Sequence, residues 1–263
     1  MSTQAQITAL QATLAIATSQ AEALTPDATT PPVTPPPVPP GAVIPVFAPP
    51  GGTGANLFNF DPSTMPDGPF VPGDLYGWWY NNTGKMNGVQ LAAANASIKG
   101  GALVLKLASS SSGAAVTTSP WVGAGGASKP FLWQGGYRET KYVVPSAWGA
   151  IWDTGQTWPT DGEGDGAERL GAGWTTNYHY QGGANGPNVW PVQPPAGSTV
   201  TVGTLWVPGV SYTTYLGGVP QVAIEGSFVS SEPHCLILNI GYQAGGPSTD
   251  ELVVLYDRVW AAG

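Results

Sequence analysis

The hydrophobic rhythm of the chain changes once, near residue 56. Before that point Ile7, Leu10, Leu14, Ala17, Ala21 and Leu24 recur at alternating spacings of three and four. This is the a/d seam of a heptad pattern, and it predicts a short amphipathic helix over residues 1–25. From about Asn56 the pattern becomes short apolar or alternating runs set off by Gly, Asn, Ser and Pro clusters, which reads as all-β. The clearest runs are Ala102–Leu107, Tyr137–Val144, Thr199–Val207, Val210–Tyr215, His234–Ile240 and Leu252–Val259, each rich in β-branched, aliphatic or aromatic residues. Two antiparallel sheets packed face to face would bury them, so residues 56–263 are expected to form a β-sandwich.

Between the two patterns, residues 25–50 carry eleven prolines, including Pro35-Pro36-Pro37 and Pro39-Pro40. Such a stretch is a semi-rigid spacer, assigned here to residues 26–55; fully extended polyproline II over residues 26–40 would reach about 45 Å. A lone helix of two and a half heptads is marginal in water, so its seam needs partners. Residues 7–24 are therefore expected to hold a homo-oligomer together, as a parallel trimer.

Composition narrows the partners. Only 9% of residues are charged, while Gly (37), Pro (27) and Trp (11) are plentiful, the profile of many strands and turns. The formal net charge of −8 repels a phosphate backbone, which argues against nucleic acid. No run of about 20 apolar residues could span a bilayer, and no Lys or Arg precedes Lys85, so neither membrane insertion nor a basic secretory n-region is expected. The single cysteine, Cys235, falls in an apolar run and reads as a small core residue.

Candidate chemistry is concentrated in one place. Five of the sixteen acidic residues lie between Asp153 and Glu168, with no basic residue until Arg169. Within Trp158-Pro159-Thr160-Asp161-Gly162-Glu163-Gly164-Asp165-Gly166-Ala167-Glu168, Glu163 and Asp165 share a strand face, whereas Glu168 has the wrong parity. One β-bulge near Gly166-Ala167 would return Glu168 to that face. Two carboxyl groups about 5 to 5.5 Å apart suit retaining glycoside hydrolysis, and a third between them would raise the pKa of a neighbour and keep it protonated. Taken alone, an acidic string in a glycine-rich segment is more often a solvated loop, or a calcium site, than a catalytic strand.

The ordered context resembles the family 16 glycoside hydrolases. Trp158-Pro159 leads into Gly162-Glu163, Asp165 and Glu168 in the spacing of that family's Gly-Glu-x-Asp-x-x-Glu signature. Upstream, Gly136-Tyr137-Arg138-Glu139-Thr140-Lys141 and Trp148-Gly149-Ala150-Ile151-Trp152 are similar to its preceding strands; downstream, Asn177-Tyr178-His179-Tyr180 and Leu255-Tyr256-Asp257-Arg258-Val259-Trp260 are similar to its His-Tyr and closing strands. The resemblance spans residues 56–263 in order. It implies a concanavalin-like jelly roll with Glu163 as nucleophile, Asp165 as assisting carboxylate and Glu168 as general acid/base, acting without a cofactor, though a structural calcium remains compatible with the fold. Trp152, Trp158, Trp148 and Trp174 are candidates to stack on sugar rings and His179 to hydrogen-bond in the cleft; His234, at the start of a strand, reads as structural, and neither histidine has the companions of a zinc site. The chain departs from the family where Gly164 and Gly166 replace aliphatic residues between the carboxylates, which weakens the strand and motivates a rival reading as a non-catalytic carbohydrate-binding module. A helical seam, a proline spacer and a terminal sugar-acting domain also resemble a bacteriophage tail or capsid appendage, which implies a virion-surface location, contacts with other virion proteins and host-envelope polysaccharide as ligand; an extracellular location is the alternative.

Overall fold

A computed structural model describes residues 43–263 except 74, 80–83, 121–128 and 172. The expected helix and the oligomerising seam at residues 7–24 lie outside the described residues, as does the first part of the proline spacer.

The described chain is a sandwich of two antiparallel sheets. The back sheet contains β1 (Thr53–Phe60), β2 (Gly68–Pro69), β6 (Ala96–Lys99), β7 (Ala102–Leu107), β9 (Gly136–Val143), β14 (Thr199–Val207), β15 (Ser211–Leu216), β16 (Val219–Glu225) and β18 (Asp250–Ala262), in the order β16-β15-β14-β9-β18-β7-β6-β2 with β1 also on β18. The cleft sheet contains β3 (Gly77–Trp78), β4 (Lys85–Met86), β5 (Val89–Leu91), β8 (Ser112–Thr117), β10 (Trp148–Thr154), β11 (Glu163–Leu170), β12 (Gly173–Tyr180), β13 (Gly183–Val189) and β17 (Cys235–Gly241), ordered β13-β12-β11-β10-β17-β8-β5-β4 with β3 on β8. One pairing, β5 with β8, is parallel. The six runs singled out by their hydrophobic pattern are β7, β9, β14, β15, β17 and β18, each within three residues of the expected ends.

Alternation explains the layering. Leu103 and Leu105 of β7 and Leu236, Leu238 and Ile240 of β17 are completely buried between the sheets, with Trp206, Tyr212 and Trp174 filling the larger gaps. Cys235 is 1% exposed, as its apolar surroundings suggest.

Residue 56, the expected start of the folded domain, falls inside β1, whose pairing with β18 already begins at Thr53 and Ala262. The segment before β1 is also fixed to the back sheet. Val46 and Phe47 donate their backbone N–H groups to the two oxygens of the buried Glu139, at 3.0 Å each, and Trp260 donates its indole N–H to the Val43 carbonyl at 2.8 Å. Residues 43–52 thus satisfy buried polar groups of the sandwich, which proline content alone does not reveal.

Candidate active site

The acidic strand β11 lies between β10 and β12. Along it Glu163 pairs with His179 and Asp165 with Asn177, but Glu168 pairs with Thr175, so three residues of β11 oppose two of β12. The extra residue is accommodated at Gly166-Ala167, and the same irregularity shows on the other side, between Ile151 and Asp153 of β10. The bulge restores the parity of Glu168 and sets Glu163, Asp165 and Glu168 in one row on the floor of a cleft of about 690 Å³.

The two glycines have a physical partner across the core. A Cβ on Gly164 would stand 2.4 Å from the ring of Tyr212, and one on Gly166 would stand 2.7 Å from the Thr204 hydroxyl. Tyr212 of β15 therefore occupies the space that aliphatic side chains would need, and its hydroxyl lies 3.0 Å from the Gly164 carbonyl. The strand loses side-chain packing of its own and regains it from the back sheet.

Each carboxylate is held differently. Trp148 donates its indole N–H to one oxygen of Glu168 at 2.8 Å, and Asn177 donates its amide to the other at 2.9 Å. His179 Nε2 lies 3.3 Å from Asp165 and 3.6 Å from Glu163. Burial, reinforced by the charge of Asp165, pushes Glu163 up to about 8 and Glu168 up to about 7. Burial also raises Asp165, against the opposing pull of its bond to His179; the Asp165 carboxylate in turn raises His179. Like charges this close titrate as a unit, so the row retains shared protons near neutrality while part of it is ionised. That is the condition general acid/base chemistry requires. Donor atoms of Glu163, Asp165 and His179 lie within 4.8 Å of one another, a spacing that also suits a cation.

No protein-family model matches the chain, and no curated protein matches it by sequence. Solved structures do match. SCLam, a non-specific endo-β-1,3(4)-glucanase from family GH16, aligns with a TM-score of 0.63 at 17% identity over 79% of this chain and 91% of its own. LamA from Z. galactanivorans, a variant in complex with laminaritriose and laminaritetraose, gives 0.62 at 18% identity over 80% of this chain and 100% of its own. The laminarinase catalytic domain of Thermotoga maritima gives 0.53 at 20% over 65% and 82%.

The fold is the jelly roll of the GH16 glucanases.

Within that jelly roll the aromatic candidates separate. Trp158, 60% exposed, stands at the cleft with its ring 6.3 Å from that of His179. Trp152 lines the floor and donates its indole N–H to Asn239 at 2.7 Å. Trp148 is nearly buried and serves chiefly to hold Glu168. Trp174 corrects the expectation. It is 0% exposed and packs against Tyr142 and Trp190 between the sheets, because its position on β12 has the parity opposite to Thr175 and Asn177.

Three cleft residues escaped the sequence reading. Trp79 packs 5.5 Å from Trp152, Asn177 holds Glu168, and Asn239 accepts from Trp152 while its own amide N–H₂ has no protein partner. Only Asn239 carried a usable signal, as a polar residue inside the otherwise apolar run of β17.

Proposed function

We propose that this chain is a retaining, endo-acting glycoside hydrolase for β-glycosidic bonds of a neutral polysaccharide. The observation that carries the reading is the bulged strand β11, which places three carboxyl groups with raised pKa values, Asp165 buried and Glu163 and Glu168 half-buried, in one row on the floor of an open, tryptophan-lined cleft. In the state of the coupled row that has Glu163 ionised and its shared proton on Glu168, Glu163 attacks the anomeric carbon while Glu168 gives that proton to the leaving oxygen; the deprotonated Glu168 then activates a water that releases the sugar from Glu163. Asp165, between them, raises both partners and, with His179, balances the charge that moves along the row. Trp158 and Trp152 offer faces for sugar rings. Among the described residues lining the cleft there is no Lys or Arg, so a sulfated or uronate chain would meet carboxylates without a counter-charge. This supports an uncharged substrate.

The finer reading is that the domain is displayed on a phage virion and acts on host-envelope polysaccharide. It is supported by the heptad seam and proline spacer, since a trimer would turn weak sugar contacts into avidity. The rival reading, a binding module without turnover, draws on Gly164, Gly166 and the low content of charged residues; the ring of Tyr212 supplies the packing the two glycines lack.

The test is reducing-end release from neutral β-glucans and galactans, and from envelope polysaccharides, by wild type and Glu163→Gln. Release by the wild type that falls at least about 1,000-fold in the variant is the expected result. Sugar binding without release by either protein would replace the hydrolase with an adhesin.

A further inference from the structure

His234 stands outside the cleft, completely buried behind the catalytic strand, and every edge of its ring is engaged. Nε2 lies 2.7 Å from the carbonyl of Asp161, and Nδ1 lies 2.5 Å from a carboxylate oxygen of Asp153. One ring face stacks on Trp206 with centroids 4.4 Å apart. A carbonyl only accepts, so the Nε2 that meets Asp161 carries a proton. The backbone of His234 is fixed separately, by reciprocal 2.7 Å bonds with Trp133.

What the ring holds is the turn from Gly155 to Gly162. That turn closes on itself through Gly155 N–H to the Gly162 carbonyl, Gly162 N–H to the Pro159 carbonyl, and Thr157 N–H to the Asp161 side chain. It carries Trp158 at the cleft and ends one residue before Glu163. Its last residue, Gly162, has φ +86°, and a Cβ there would stand 2.7 Å from the Tyr178 hydroxyl, so no other residue fits without displacement. The other side of the network reaches β11 itself. The second oxygen of Asp153 accepts from Tyr212 at 2.7 Å, and that hydroxyl also touches the Gly164 carbonyl at 3.0 Å. Asp153 points into the core between Trp152 and Thr154, which face the cleft.

We propose that His234 is a positioning residue. Its Nε2–H holds the Trp158 turn through the Asp161 carbonyl and fixes where Glu163 enters the cleft, while Asp153, itself held by Tyr212, orients the ring from the other side. The inference rests on the hydrolase reading for its effect on turnover, but its geometric claim is independent of it. A misplacement of about 1 Å in a reacting group costs on the order of 100-fold in rate, so a locked turn is worth having.

Two substitutions in the full chain separate the two arms. In His234→Gln the amide nitrogen takes the place of Nε2 and keeps the donor to Asp161. In His234→Asn the amide nitrogen takes the place of Nδ1 beside Asp153 and leaves the Asp161 carbonyl without a donor. Measured where near-ultraviolet dichroism shows each variant folded, His234→Asn is expected to lose about 10- to 100-fold in kcat, with faster amide exchange over residues 155–163. His234→Gln should stay within about threefold of wild type in kcat and keep the exchange protection. Equal behaviour of the two variants, or unchanged exchange over 155–163 in His234→Asn, overturns the proposal. If the wild type releases no sugar, the hydrolase reading fails alone, and the exchange result still decides this one. If neither variant folds, nitrogen-15 NMR of the wild type decides: a protected proton on Nε2 of His234 is expected, and an unprotonated Nε2 refutes the arrangement.

Discussion

Two sets of carboxylates sit within this sandwich, one fully buried and one lining the cleft, and they are treated in opposite ways. Asp257, between the sheets, accepts from Arg138 through two bonds of 3.0 and 2.7 Å, from Thr140 at 2.7 Å and from Tyr76 at 2.5 Å. Glu139 likewise accepts from two backbone N–H groups and from Tyr256. The cleft carboxylates are packed beside one another instead, and Glu163 and Glu168 are raised by burial and by the charge of Asp165. A carboxylate supplied with donors and kept apart from like charge holds a fold together; one crowded by other carboxylates holds a proton that chemistry can use, even where, as at Glu168, each oxygen has a donor.

The largest expected effect tests the first half of that comparison. Removing one member of a buried ion pair strands the other, so Arg138→Met should cost about 3–5 kcal/mol in a urea melt. An unchanged midpoint would mean that the pair contributes nothing that apolar packing cannot replace.

The second half predicts the reverse sign. A carboxyl whose native pKa is raised from 4.5 to about 8 keeps a proton that the unfolded chain has already released, so stability falls as pH rises through that interval. Glu163→Gln should therefore be more stable than wild type above pH 8, by about 1–3 kcal/mol, with the gain vanishing below pH 4.5. Thermal melts across that range check it; a pH-independent difference would count against a row raised by burial and like charge.

Packing behind the row gives an effect of similar size. Gly164→Ala drives a methyl group into the Tyr212 ring and should destabilise by about 1–3 kcal/mol, with sugar release falling as β11 shifts. The smallest effect on folding separates the aromatic residues. Trp158→Ala should leave stability within about 0.5 kcal/mol while weakening glucan binding, whereas Trp174→Ala should cost about 3–5 kcal/mol through the lost core contacts. Isothermal titration beside chemical denaturation distinguishes the two.

These contrasts also mark how far the sequence could be read. The six strands with β-branched or aliphatic alternation were legible because period-2 burial leaves a local trace, whereas β8 (Ser112–Thr117) and β13 (Gly183–Val189), built largely from small residues, left none. The carboxylate row was legible too, since three acids at a spacing of two and three need one bulge, and glycine marks where it goes. Trp148 and Trp174 look alike in the sequence, yet one holds Glu168 at the cleft and the other is core, because parity on each strand depends on register and bulges.

The sequence by itself determined that the described part is a β-sandwich, that its acids fall on one face, and that little positive charge accompanies them. The tertiary structure decided which aromatics reach the cleft, that Tyr212 fills the space beside two glycines, and that His234 ties a turn to the strand behind it. The physical reason is distance along the chain. Alternation and bulges are written in neighbouring residues, but Tyr212 meets Asp153 across 59 positions and His234 meets it across 81, and only packing of the two sheets brings those groups together.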